Sequence, residues 1–107
     1  MGDYEITLEK ALQWQRADNI VWIDARTREQ FDSGHRQGAF LLNEQEWNNP
    51  DTFIELTHRS DKRFVVYCNL RKCKASKKIA DEMRARGFPE VFVLKGGWEV
   101  LKDAPQP

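Results

Sequence analysis

The chain predicts an α/β protein, a mainly parallel five-stranded sheet flanked by helices on both faces. Three observations carry that expectation. Compact apolar runs recur along the 107 residues, at Ile20–Ile23, Ala39–Leu42, Phe64–Tyr67 and Val91–Leu94, and Tyr4-Glu5-Ile6 reads as a further short strand. Amphipathic or polar stretches of helical length separate most of them, the alternation expected of parallel strands joined by crossovers. The runs are apolar nearly throughout, as in strands covered on both sides. The length suits one domain with one core. We read residues 1–107 as that domain, with a core over about 5–102 and a mobile, proline-containing tail at 103–107.

Each element has a local reason. Thr7 is a suitable N-cap, and Leu8, Ala11 and Leu12 follow at i, i+3, i+4 until Asp18-Asn19 break the helix. Thr27 opens a short helix through Phe31, and Gly34 and Gly38 bracket the connection to the third strand. Asn43 to Pro50 is polar and reads as a loop, with a helix from Asp51 to about His58. Ser60-Asp61-Lys62 makes a turn before the fourth strand. A long helix from Ala75 to Arg86 stops at Gly87, with Pro89 beyond it. Gly96-Gly97 turns the chain after the last strand into a helical turn or two over Trp98–Lys102.

Composition narrows the function. Seventeen basic residues balance seventeen acidic ones, so the chain as a whole gives no argument for binding nucleic acid or membrane. Two cysteines make no disulfide framework, and no run is long enough to span a bilayer; a cytoplasmic protein in a reducing compartment is expected. No cofactor is implied. No metal site is expected either, because His35 and His58 are far in sequence from Cys68 and Cys73 and from each other.

Cys68 is the most telling residue. It leaves the Phe64–Tyr67 strand and enters a short cationic loop, Asn69-Leu70-Arg71-Lys72-Cys73-Lys74, which opens a helix. In parallel sheets that end of a strand is where ligands bind. Converging amide N–H groups and a helix N-terminus favour a thiolate there. Five of the eight residues from Arg71 to Lys78 are basic, which strengthens the field. An exposed, reactive thiol is expected. Asp24, at the end of the second strand, and Gly96-Gly97 fall at the same edge of the sheet.

The ordered set Ile23-Asp24-Ala25-Arg26, Glu29-Gln30-Phe31, Gly34-His35, Gly38-Ala39, Val66-Tyr67-Cys68, Ser76 and Val93-Leu94-Lys95-Gly96-Gly97-Trp98 resembles a rhodanese homology domain over roughly residues 5–102. The resemblance implies a sulfurtransferase whose loop cysteine, Cys68, accepts sulfane sulfur as a persulfide and passes it to a thiophilic acceptor. It implies that Asn69, Leu70, Arg71, Lys72, Cys73 and Lys74 bind the substrate, and that Ser76, Asp24, Arg26, Gly96 and Gly97 support the loop. The implied partners are a small anionic sulfur donor such as thiosulfate, or a persulfide carrier protein, and a thiol acceptor. The loop departs from the family's commonest pattern: the position five after Cys68 is Cys73 and not arginine, giving Cys-x4-Cys-x2-Ser. Arg36-Gln37 also replaces the usual apolar-proline pair, and Leu101 stands near a frequent tryptophan.

Several residues carry two readings. Cys73 is either a resolving thiol for Cys68 or a small side chain packed under the helix start. Asp24 and Arg26 are expected as a salt-bridged scaffold pair, His35 as a structural turn residue, and Ser76 as a helix cap. Trp22 and Trp98 are expected in the core, Trp47 at a pocket rim or partner surface, and Lys77-Lys78 as solvated helix surface. The rival functions are a non-catalytic binding or regulatory module, a Cys68/Cys73 redox sensor, and a phosphatase-like anion site. The last is disfavoured because Lys74 cannot supply a bidentate fork.

Overall fold

A computed structural model describes residues 4–69 and 74–106. Its sheet has the strands β1 (Glu5–Ile6), β2 (Ile20–Asp24), β3 (Phe40–Leu41), β4 (Arg63–Tyr67) and β5 (Val91–Leu94), in the order β1-β5-β4-β2-β3, and every pairing is parallel. The helices are α1 (Leu8–Arg16), α2 (Arg28–Ser33), α3 (Pro50–Thr57), α4 (Ala75–Ala85) and α5 (Gly97–Leu101). The third strand is shorter than the apolar run Ala39–Leu42 suggested, although the Leu42 amide still donates to the Asp24 carbonyl at 2.8 Å.

Period-two alternation divides the core between the two faces of the sheet. Val21 and Ile23 of β2 and Phe64 and Val66 of β4 join Leu56, Ile79, Ala80 and Met83 from α3 and α4. Trp22, Val65 and Tyr67 point the other way and meet Ala11 and Trp14 of α1 and Leu101 of α5. Residues that read as one apolar run thus serve two layers.

Local chemistry sets the helix ends. Thr7 Oγ1 accepts from the Lys10 amide at 3.2 Å, and Thr27 and Gln30 form a capping box at the start of α2. Asn49 caps α3, with Pro50 at its first position. Gly87, at φ +105°, closes α4. Ser76 is not the cap expected of it. It is the second residue of α4 and is buried, while Lys74 occupies the N-cap position with no side-chain cap bond.

The tail read as mobile is hydrogen-bonded as far as Gln106. Arg36 Nη1 donates to the Ala104 carbonyl at 3.1 Å and Nη2 to the Pro105 carbonyl, while Gln37 N donates to Gln106 Oε1 at 3.3 Å. Arg36 is completely buried, its guanidinium 5.2 Å from the Trp22 ring centroid. The arginine that replaces an apolar residue therefore recruits the tail as its solvation shell.

Candidate active site

Consecutive connections leave β2 and β4 in opposite directions, β2 toward β3 and β4 toward β5, so the crevice beyond their carboxyl ends is the switch point of the sheet. A cleft of about 370 Å³ opens there. Its floor is Ala25, Arg26, Cys68 and Ile79, all buried; its rim is Thr27, Glu44, Gln45, Asn69 and Lys78. Cys68 is only 4 % exposed, so the openly exposed thiol expected from sequence is instead a residue at the bottom of a cleft. Burial follows from its place: it directly follows β4, the central strand, with Ile79 of α4 beside it in the cleft wall.

Backbone bonds hold that floor. The Trp98 amide donates to the Cys68 carbonyl at 2.7 Å, and the Ala25 amide to the Tyr67 carbonyl at 2.9 Å. Gly96 and Gly97, at φ +92° and +60°, make the turn that delivers Trp98 to this bond. Ala75, the first residue of α4, also lines the cleft, so the positive end of that helix faces it. Cys68 is disulfide-bonded in this structure. Leu70, Arg71, Lys72 and Cys73 lie outside the described residues, and with them most of the expected amide cradle. Asn69 lines the cleft, whereas Lys74 faces a neighbouring exposed groove with Lys77, Lys78, Asp81 and Glu82.

Beneath the floor is a buried polar knot. The Arg26 guanidinium grips Asp24 with Nε and Nη2, at 2.8 Å for Nη2 to Oδ2, and Nη2 also donates to the Gly34 carbonyl at 2.6 Å. Burial alone would lower the Arg26 pKa, but the Asp24 carboxylate outweighs it and the net direction is upward. The expected scaffold pair is therefore present, and its guanidinium packs 4.4 Å from the Trp98 ring centroid. Tyr67, which sequence reasoning left as a core aromatic, ties the knot to Arg36. Its hydroxyl donates to Asp24 Oδ2 at 2.8 Å and accepts from the Arg36 amide at 3.1 Å. Burial is the first cause holding the Tyr67 hydroxyl above the ordinary tyrosine pKa; the Arg36 amide opposes it and Asp24 adds to it. Burial likewise lowers the Arg36 pKa.

Other candidates take structural places. His35 stacks on Phe31 with ring centroids 3.7 Å apart, its Nδ1 2.7 Å from the Phe31 carbonyl. Trp22 is in the core, and Trp98 stacks on Tyr67 at 5.7 Å. Trp47 is no rim residue of this cleft: it packs edge-on against Phe53 at 5.0 Å, under α3. Sequence reasoning missed the contribution of the Asn43–Gln45 loop. Asn43 donates to the Arg26 carbonyl at 2.7 Å, and Glu44 reaches across to pair with Lys78, raising that ammonium's pKa. Lys78 is thus a cleft residue and more than solvated surface. Among the described residues no group of His, Cys, Asp and Glu could hold a metal ion, and no helix is long and apolar enough to cross a membrane.

Comparison with known proteins agrees with this fold. The chain is 30 % identical over 107 residues to a thiosulfate sulfurtransferase GlpE of Actinobacillus succinogenes, covering all of this chain and 91 % of that one. It is 28 % identical over 99 residues to the GlpE of Shewanella oneidensis, covering 92 % of each. Among solved structures, the BH2092 protein from Bacillus halodurans superposes with a TM-score of 0.77 at 23 % identity, over 94 % of this chain and 74 % of that one. A full-length protein from Lactobacillus plantarum superposes with a TM-score of 0.72 at 21 % identity, over 92 % and 83 %. The latter two likenesses speak to the fold alone. The model of the rhodanese-like domain matches residues 7–104, and the chain belongs to that family.

Proposed function

We propose that this chain is a sulfurtransferase that moves sulfane sulfur through a persulfide on Cys68. The observation that carries the reading is the position of Cys68 on the floor of the switch-point cleft, in a chain whose relatives are named thiosulfate sulfurtransferases. The Cys68 thiolate attacks the outer sulfur of thiosulfate; the S–S bond of the donor breaks, sulfite leaves with the electron pair, and Cys68 carries S–S⁻. Cyanide or a thiolate then attacks that terminal sulfur, forming thiocyanate or a new persulfide and returning the Cys68 thiolate. No external oxidant or reductant enters either step. Displacement at sulfur depends on thiolate fraction and access. The N-terminal end of α4 favours the first, and the cleft supplies the second.

The donor is a small sulfur anion or a persulfide carrier protein, the acceptor a thiol, and the setting cytoplasmic. Asn69 through Lys74 bind the transferring sulfur, and Cys73 is a resolving thiol: its thiolate attacks Cys68 Sγ of the persulfide, the persulfide S–S bond breaks, hydrosulfide leaves and the Cys68–Cys73 disulfide forms. Reduction of the protein precedes any assay, because Cys68 is disulfide-bonded here. Intact-mass measurement after incubation with thiosulfate tests the reading. Wild type gains the mass of one sulfur atom, discharged by cyanide, and Cys68→Ser gains none. Failure of wild type to take up sulfur from thiosulfate or any persulfide donor sinks it. The disulfide also favours a second reading, a thiol–disulfide sensor; reversible loss of both thiols under mild peroxide, with no sulfur uptake, would select it.

A further inference from the structure

Three charged side chains are buried among the described residues, Asp24, Arg26 and Arg36, so the interior sets two guanidinium cations against one carboxylate. Asp24 is engaged by Arg26 and by the Tyr67 hydroxyl. Arg36, with no exposed surface, pairs with no carboxylate among the described residues, and its Nε has no hydrogen-bond partner there. Buried charges are ordinarily paired. Arg36 instead meets neutral oxygens: Gln15 Oε1 at 2.6 Å and the carbonyls of Ala104 and Pro105. Two more donors point at the same tail. Gln15 Nε2 reaches the Pro105 carbonyl at 3.2 Å, and Gln37 N reaches Gln106 Oε1 at 3.3 Å. Four nitrogen donors thus converge on three uncharged oxygens of one short segment.

We infer that the cradle around Arg36 is an anion-binding site, separate from the Cys68 cleft, which takes one small oxyanion group (carboxylate, sulfate or phosphate) in exchange for residues 104–106. Hydrogen bonds to a charged acceptor are roughly twice as strong as those to a neutral one, and an anion also brings Arg36 a counter-charge. The way in is adjacent. Gln15 and Gln37, which hold the tail, line a pocket of about 150 Å³ together with Trp22, whose indole N–H donates to Gln15 Oε1. That is below the roughly 300 Å³ of pockets that enclose whole organic ligands, so the pocket suits a single small ion. Arg59 and Lys62 also line it, but each sits in a surface pair, with Glu55 and Asp18, that water screens; the holding falls to Arg36. No lining residue is shared with the Cys68 cleft. The Arg36 amide keeps its bond to the Tyr67 hydroxyl while the side chain changes partners, so the exchange leaves the Asp24 knot in place. The inference does not rest on sulfur transfer.

Titration of isotope-labelled protein with sodium phosphate, sulfate or acetate, against chloride at matched ionic strength, tests it by nuclear magnetic resonance. Saturable shifts are expected at the Gln37 amide, the Gln15 carboxamide and the Trp22 indole N–H, while the Ala104 and Gln106 signals move toward random-coil positions. Saturation by phosphate and sulfate marks a tetrahedral ligand and saturation by acetate a carboxylate; either supports the site. Arg36→Met should weaken binding by about tenfold or more, the order lost with a charged donor pair. Gln106→Ala, an exposed change, removes one competing acceptor and should tighten binding about two- to fivefold. Shifts no larger than those with chloride, saturation confined to Asn69 and Lys78 at the cleft, or an affinity that neither variant moves overturns the inference.

Discussion

Replacing Tyr67 by Phe removes one oxygen atom from the least accessible part of the molecule and leaves the ring in place. Tyr67 and Asp24 are both fully buried. The hydroxyl holds two bonds, at 2.8 Å to Asp24 Oδ2 and 3.1 Å from the Arg36 amide. Without it the Arg36 N–H has no acceptor, a buried orphan that costs about 1–3 kcal/mol. Asp24 keeps its bonds from Arg26, so its share of the loss is smaller, about 1 kcal/mol. The sum is about 2–4 kcal/mol, and for a domain of this size it lowers Tm by about 8–16 °C. Urea unfolding should show the midpoint falling at unchanged slope, since the surface exposed on unfolding is the same. A loss below about 0.5 kcal/mol, the scale of surface substitutions, would refute the claim that this hydroxyl joins the two halves of the knot.

The same hydroxyl predicts an alkaline limit. Its folded pKa lies above the unfolded value of 10.0, so its contribution is complete below pH 10 and is lost as pH rises beyond that. Tyr67→Phe should flatten that part of the stability–pH curve; an unchanged slope would count against it. Asp24→Asn leaves the Arg26 guanidinium, 97 % buried, without its counter-charge, and chemical denaturation should report a loss of about 3–5 kcal/mol. Gly96→Ala places a Cβ 2.8 Å from Val100 Cγ1 at a φ of +92°, so a loss of about 1–3 kcal/mol is expected, with slower sulfur uptake at Cys68 as the Trp98 bond shifts. Arg36→Met should release residues 104–106, seen as lost amide protection there while the sheet stays protected; retained protection would show that other contacts hold the tail.

The strands, the cap at Thr7 and the stop at Gly87 were legible because each is a local matter of pattern and turn chemistry. The Asp24–Arg26 pair was legible through the family resemblance, which implies a scaffold ion pair at those positions. What sequence could not show depends on approach between distant segments. Tyr67 meets Arg36 across 31 positions, and Arg36 meets Pro105 across 69. Arg36 stood out in sequence only as a departure from an apolar-proline pair, because nothing near it announces the carbonyls that solvate it. Glu44 and Gln45 likewise read as loop polarity. Only the placement of β3 beside β2 carries their loop to α4, and Lys78 acquires a role by the same route. Ser76 misled because Ser is a common cap, yet the helix starts one residue before it, at Ala75.

The outermost strands, β1 and β3, are two residues each, whereas β4 has five and lies between β5 and β2. Such short borders offer little template for another chain to extend the sheet. They also set an order of opening: fluctuations that peel the borders reach β4 last, so amide exchange at Val65 and Val66 should follow global unfolding. The segment that carries Cys68 is thereby fastened to the slowest-opening part of the molecule, and the transfer proposed for that sulfur does not wait on the breathing of the periphery.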